Sequence, residues 1–239
     1  MKIIDKKTGK RIVSNDKERS NHQKALKESD PIIVDAFKDN NTNESSPMNP
    51  PDAYDLSKTQ NVNKDDFSVV LRSFIDEHSE VLERLEKFER SLINFKENNF
   101  VFTKDINDSF NEFFIYFDNF ILPHNKKEER GLFVLLHRKL IETGELRNPK
   151  NPETAIDVME DDHIKFIQLA TLTFNFLGLA CRLNDSHSKA LTFDVAYNSG
   201  IELVELMKLH IFRENQTLFP MAHKLLTNKD FQSILDKEK

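Results

Sequence analysis

The stretch "KLHIFRENQTLFP", residues 208–220, reads as part of an amphipathic helix, and what it carries decides the reading of the chain. Leu203, Leu206, His210, Glu214, Thr217 and Met221 recur at intervals of three and four residues, the spacing of one helix face. The face that should enter a core therefore holds an imidazole and a carboxylate one turn apart. A buried carboxylate is costly unless a proton or a cation compensates it, so this face needs a second component.

Upstream, the segment "PHNKKEERGLF" (residues 123–133) repeats the device with His124 and Glu128. It sits in a helical stripe through Phe113, Phe117, Ile121, His124, Glu128, Leu132 and Leu135, with Thr103 as N-cap, Asp105 favourable in the first turn, and Pro123 expected to kink it. An earlier helix, from Asp65 to about Asn98, carries Phe67, Leu71, Phe74, His78, Leu82 and Leu85. After the breaker "TGELRNPKNPE", the run Asn151, Pro152, Glu153 signals the start of a third helix. Its inward face reads Ile156, Met159, His163, Phe166, Ile167 and Ala170. "LNDSHSK" separates it from the fourth, which ends near Pro220 or a turn or two beyond. Four such helices with short connections predict an all-α fold, an antiparallel up-down-up-down four-helix bundle over residues 65–225.

Each predicted helix has one histidine in its apolar stripe: His78, His124, His163 and His210. Successive histidines lie 46, 39 and 47 residues apart, which in an antiparallel bundle brings all four to a similar height. A lone histidine on an apolar face is usually a hydrogen-bonded core residue. Four of them with Glu128 and Glu214 in one layer are explained together by a pair of divalent metal ions. The other histidines serve as a control. His137 and His223 each follow a stripe histidine by 13 residues, about 220° around the helix, and His22 and His187 lie outside the stripes. Imidazole and carboxylate donors without thiolate favour iron, zinc or manganese over calcium or magnesium. Two bridging glutamates and two histidines per metal leave positions open for an oxo or hydroxo bridge and an exogenous ligand, the mark of a reactive rather than a structural site.

The rest of the chain bounds the options. Only Phe37 and Tyr54, of 20 phenylalanines and three tyrosines, lie in the first 64 residues. That region ends in "NNTNESSPMNPPDAYDLSKTQNVNKDD", a composition that predicts a poorly ordered N-terminal tail over 1–64. Within it "KIIDKKTGKRIV" could form a small hairpin, and "DPIIVDAF" could dock on a protein partner. Residues 226–239 read as a short polar tail. A net charge of -6 argues against a nucleic-acid partner. The single cysteine, Cys181, excludes an internal disulfide and a thiolate cluster, suits a reducing compartment, and is expected to pack in an apolar helix. No secretory signal is visible, and the apolar stretch 166–181 is too short and too interrupted by Gln168 and Asn175 to span a membrane, so a cytoplasmic location is expected.

The series His78, then His124 with Glu128, then His163 in "NPETAIDVMEDDHIKF", then His210 with Glu214 resembles the hemerythrin-like HHE cation-binding domains over about residues 65–225. Ferritin-like di-iron bundles instead use E-x-x-H pairs, which the inward positions lack. The resemblance implies a non-haem di-iron centre held by those six residues. Oxygen-carrying hemerythrins place a fifth histidine one turn after the third, where this chain has Ile167, and use an aspartate, differently spaced from Glu214, as second bridging carboxylate. The four-histidine, two-glutamate set looks like that of di-iron proteins that repair iron-sulfur clusters, which usually carry an N-terminal cysteine-bearing domain; this tail has no cysteine. The implied function is binding or reaction of nitric oxide or dioxygen in nitrosative or oxidative stress, or cluster repair. The alternative is an oxygen or iron sensor or storage module signalling through the N-terminal tail.

Overall fold

The structure, a computed structural model, describes residues 64–144 and 153–237. The expectations for residues 1–63, and the start signal at Asn151 and Pro152, lie outside the described residues. Within them the chain is all helical. A 3-10 turn at Lys64–Asp66 leads into α1 (Val69–Glu97). A second run comprises α2 (Lys104–Tyr116), a π-turn at Phe117–Ile121, α3 (Leu122–Glu128), a π-turn at Glu129–Phe133 and α4 (Val134–Thr143). Then come α5 (Ala155–Arg182), α6 (Ser186–Arg213), a π-turn at Glu214–Leu218, α7 (Phe219–Leu225) and α8 (Asn228–Lys237).

The ends of these helices follow from local chemistry. Thr103 caps α2 as expected, its hydroxyl accepting from the Ile106 amide at 3.3 Å. Before it, Asn99 and Phe100 turn the chain with φ of 52° and 62°, and the Phe100 amide bonds back to the Phe95 carbonyl at 2.8 Å. Gly144, at φ 79°, closes α4 in the left-handed conformation that glycine adopts without strain. For α5 the working cap is Thr154, whose hydroxyl accepts from Ile156 while Asp157 accepts from the Thr154 amide at 2.7 Å. Asp185 starts α6 by accepting from Ser188.

Pro123 does not break the second run. A π-turn precedes it, in which the Leu122 amide bonds to the Phe117 carbonyl, five residues back. The same arrangement recurs before Pro220, where Phe219 bonds to the Glu214 carbonyl. In both, the proline, which lacks a donor and crowds the preceding turn, follows a turn widened by one residue. The π-turn at Glu129–Phe133 also moves the inward stripe on by one position: Leu135, expected inside, is half-buried, and Leu136 and Leu140 are fully buried instead.

The described residues divide into two compact units: 80–122 with 162–208, and 64–79 with 123–144, 153–161 and 209–237. The first has a phenylalanine-rich core. As numbering rises along α1, the partner's falls along α2: Arg84 and Lys87 pair with Glu112, Phe88 stacks on Phe113 with centroids 3.8 Å apart, Ser91 bonds Ser109, and Phe95 packs on Phe102 and Phe110. The same inversion relates α1 to α6, through Glu89 with Lys208 and Lys96 with Asp194.

The second unit is built around Leu71, Phe74, Leu132, Phe133, Met159 and Phe219. Part of the segment read as a short polar tail is instead a packed element: α8 buries Phe231 and Ile234 in this core. An amphipathic ten-residue segment gains enough apolar burial here to hold its shape, which its polar composition conceals. A Cβ on Gly131 would stand 2.9 Å from the Ile234 Cγ2. Gly131→Ala is expected to destabilise the protein by about 1–2 kcal/mol despite alanine's higher helix propensity, because the branched Ile234 cannot withdraw cheaply. Denaturant unfolding checks this, and in an Ile234→Ala background, which lacks the γ2 carbon, Gly131→Ala should lose most of its cost.

Among the described residues α5 is the one helix long and apolar enough, by length and composition, to cross a membrane. Its inward face nonetheless carries the buried Asp162 and His163. Cys181, expected to pack, is exposed near the end of α5, where Ala180 takes the inward position.

Candidate metal centre

All six residues of the predicted set are buried, and Glu128 and Glu214 have 0% exposure. Their ligand atoms converge in two overlapping groups, His78 with His124 and Glu128, and Glu128 with His163, His210 and Glu214, each within 4.8 Å. Glu128 belongs to both. His137 instead bonds Thr154, His223 packs edge-on against Phe67, and His187 is exposed, so none of these three joins either group; His22 lies outside the described residues.

The geometry in the first group is specific. The Nε2 atoms of His78 and His124 face each other at 3.1 Å. Each ring is oriented from behind: His124 Nδ1–H donates to Glu77 Oε2 at 2.6 Å, and His78 Nδ1–H donates to Asn215 Oδ1 at 2.9 Å. With Nδ1 protonated in both rings, two Nε2 lone pairs meet in a buried space, which is repulsive until a proton or cation lies between them. Glu128 Oε1 stands 3.4 Å from His124 Nε2 and 3.8 Å from His78 Nε2.

Glu214 spans the two groups, with Oε2 3.2 Å from His78 Nε2 and Oε1 3.3 Å from His210 Nε2. Neither oxygen makes a hydrogen bond, although both are buried. Donor atoms that approach one another without aligning are directed at a shared point. Buried carboxylate and imidazole donors brought together in this way fit a bound cation. Burial raises the Glu214 pKa, but His210 and then His78 outweigh it and hold the carboxyl well below its ordinary value. For His124 burial favours the neutral ring, yet Glu128, Glu77 and Glu214 together raise its pKa to about 10, so without metal it carries a proton in the cation's place. Burial raises Glu77 as well, and its bonds to His124 and Lys127 reverse this, lowering it to about 2.

Aromatic rings close the site: Phe219 stacks on His78 at 9° and 5.5 Å, and Phe74 meets His124 edge-on. Ile167, expected inward, is 48% exposed. Three residues after His163 the helix returns to the inward side and four residues after it passes the edge, so Phe166 is the inward residue there and a side chain at 167 lies off the cluster.

Compared with protein-family models, curated proteins and solved structures, the chain matches none. The site therefore rests on its own geometry. These buried groups could hold a metal ion.

Glu77 and Asn215 are the functional residues that periodicity misses. Each adjoins a ligand in sequence, before His78 and after Glu214, and lies one position off the inward stripe. Glu77 and Asn215 are half-buried, and Asp162, Arg213 and Asn125, beside His163, Glu214 and His124, are buried. The available signal was a polar residue beside every candidate ligand except His210, which Leu209 and Ile211 flank.

Proposed function

We propose that this chain is a hemerythrin-like non-haem di-iron protein, an antiparallel up-down-up-down four-helix bundle whose centre binds or reacts with nitric oxide or dioxygen. Its place would be the cytoplasmic response to nitrosative or oxidative stress, or iron-sulfur cluster repair. The observation that carries the reading is the convergence of four imidazoles and two fully buried carboxylates, with Glu128 common to both groups and Glu214 aimed at both. The falling partner numbers along α1 support the bundle topology: in the first unit Glu89 pairs with Lys208 and Lys96 with Asp194, and in the second Phe67 meets His223 and His78 bonds Asn215.

In this reading His78 and His124 would hold one iron and His163 and His210 the other, with Glu128 and Glu214 available to both. A di-iron centre supplies open coordination positions and electrons for a diatomic ligand. The chain supplies the rest. Glu77 and Asn215 hold the imidazoles with Nε2 toward the metals. Phe74 and Phe219 exclude water and so strengthen every charge interaction inside.

Two results test the reading. The ferrous protein, purified without oxygen, is expected to develop an iron-nitrosyl absorption band on addition of nitric oxide. The double variant His78→Ala with His210→Ala is expected to lose both the iron and the band. An unchanged spectrum in the wild type, or unchanged iron in the variant, refutes it.

A further inference from the structure

We infer that the outer face of α5 binds a second copy of this chain, the two α5 helices packing antiparallel about a twofold axis at Thr171. The inference is independent of the metal reading. It starts from an imbalance in α5. Between Ile164 and Cys181 this helix carries one charge, Lys165, yet only 33% of an apolar 18-residue stretch of it is buried. Four of the large hydrophobic side chains exposed among the described residues lie on it: Ile164 at 55%, Ile167 at 48%, Phe174 at 60% and Leu179 at 40%. The longer α1 exposes only Val69. A helix apolar on both sides is covered on both sides, by its own core, by lipid or by a partner. The inward side of α5 carries the buried Asp162 and His163, which do not suit the centre of a bilayer.

The pattern of the exposed face identifies the occupant. Glu160, Ile164, Ile167, Thr171, Phe174, Gly178 and Cys181 recur at alternating steps of four and three, the spacing of a seam between two helices, and all are exposed. The seam complements itself about Thr171. Ile164 and Gly178 lie seven residues to either side of it, so antiparallel pairing sets the Ile164 of one copy on the Gly178 of the other. A Cβ at Gly178 would meet no atom within 4 Å, which leaves a recess for that side chain. Glu160 and Arg182 lie eleven residues to either side of Thr171, so the same pairing sets acid against base at both ends and opposes the two helix dipoles. Parallel pairing would set Glu160 on Glu160 and glycine on glycine. Phe114 of α2 packs on Phe174 with centroids 5.2 Å apart, so the largest ring of the face is already held in place and little entropy is lost on contact.

The test is sedimentation velocity of the full chain over a wide range of concentration. Wild type is expected to form a dimer. Phe174→Lys should raise its dissociation constant at least about tenfold. Gly178→Leu should weaken it similarly by filling the recess; within its own chain the new side chain meets open space and improves helix propensity, so this variant stays folded, as circular dichroism checks. Glu160→Arg and Arg182→Glu should each weaken the dimer by a smaller factor and together restore it, which no fold defect would do. In a Cys181→Ser background, Thr171→Cys should crosslink to its own copy under mild oxidation, because a residue on a twofold axis meets itself. A wild type that stays monomeric overturns the inference, whether the face then takes up lipid vesicles, residues 1–63 of its own chain, or nothing. So does a dimer that keeps its affinity in both folded variants, Phe174→Lys and Gly178→Leu, or one that gives no Thr171→Cys crosslink.

Discussion

Glu214→Ala is expected to abolish binding of both metal ions, whereas His163→Ala removes one. The difference follows from where the Glu214 oxygens point: one stands 3.2 Å from His78 Nε2 and the other 3.3 Å from His210 Nε2, so a single side chain serves both halves. Removing the methylene and carboxylate also takes away one of the two buried negative charges at the site and leaves a space beside His78 and His210. The affinity loss should exceed about 100-fold for each ion, more than the loss seen when only an outer partner of a ligand is changed. Glu214→Gln separates charge from volume, since it fills the same space, and it should lose nearly as much. Equilibrium dialysis with metal analysis reads both. Retention of one tight ion in Glu214→Ala would show that Glu214 belongs to one half only.

The second large effect concerns stability. A ligand that binds only the folded chain stabilises it by mass action, by about 4 kcal/mol per site at a free concentration near 1,000 times its Kd. For a chain of this size that corresponds to a rise in Tm of about 8–16 °C per ion. Saturating iron(II) or cobalt(II) is therefore expected to raise Tm by more than about 10 °C, and a chelator should reverse the rise. The metal-free protein is the weaker state for a structural reason: both Glu214 oxygens lie buried without an aligned hydrogen-bond donor, beside the His78 and His210 imidazoles. A Tm that does not move with metal would leave the buried carboxylates without the partner they are proposed to have. Differential scanning calorimetry of wild type and Glu214→Gln, each with and without metal, is the direct comparison.

The helices and the six candidate ligands were legible in the sequence because the signal at each was strong. Apolar residues at helical spacing mark the inward face, and a histidine or glutamate on that face stands out against leucine and phenylalanine. Thr103 was legible as a cap for the same reason: one residue type answers one local need. The π-turns were not. Each adds a residue to a turn without leaving the helix, so constant periodicity runs straight through it and lands on Leu135 where the structure buries Leu136. Pro123 and Pro220 marked two of the three places, but the first read as a kink and the second as the approximate end of the fourth helix. Ile167 failed for a simpler reason, lying at the edge of a face where a single residue's rotation decides inside from outside. Glu77, Asn215 and α8 depend on contacts far away in sequence, to His124, to His78 and to Gly131, which no local pattern contains.

The central claim is that these six side chains hold two metal ions, and the most direct measurement is metal analysis of the protein purified without oxygen, paired with its absorption spectrum during titration with oxygen and nitric oxide. The account predicts two iron ions per chain, with spectral changes on addition of either gas. Protein that is folded and helical yet holds no metal, and gains none when supplied with iron(II), would contradict it.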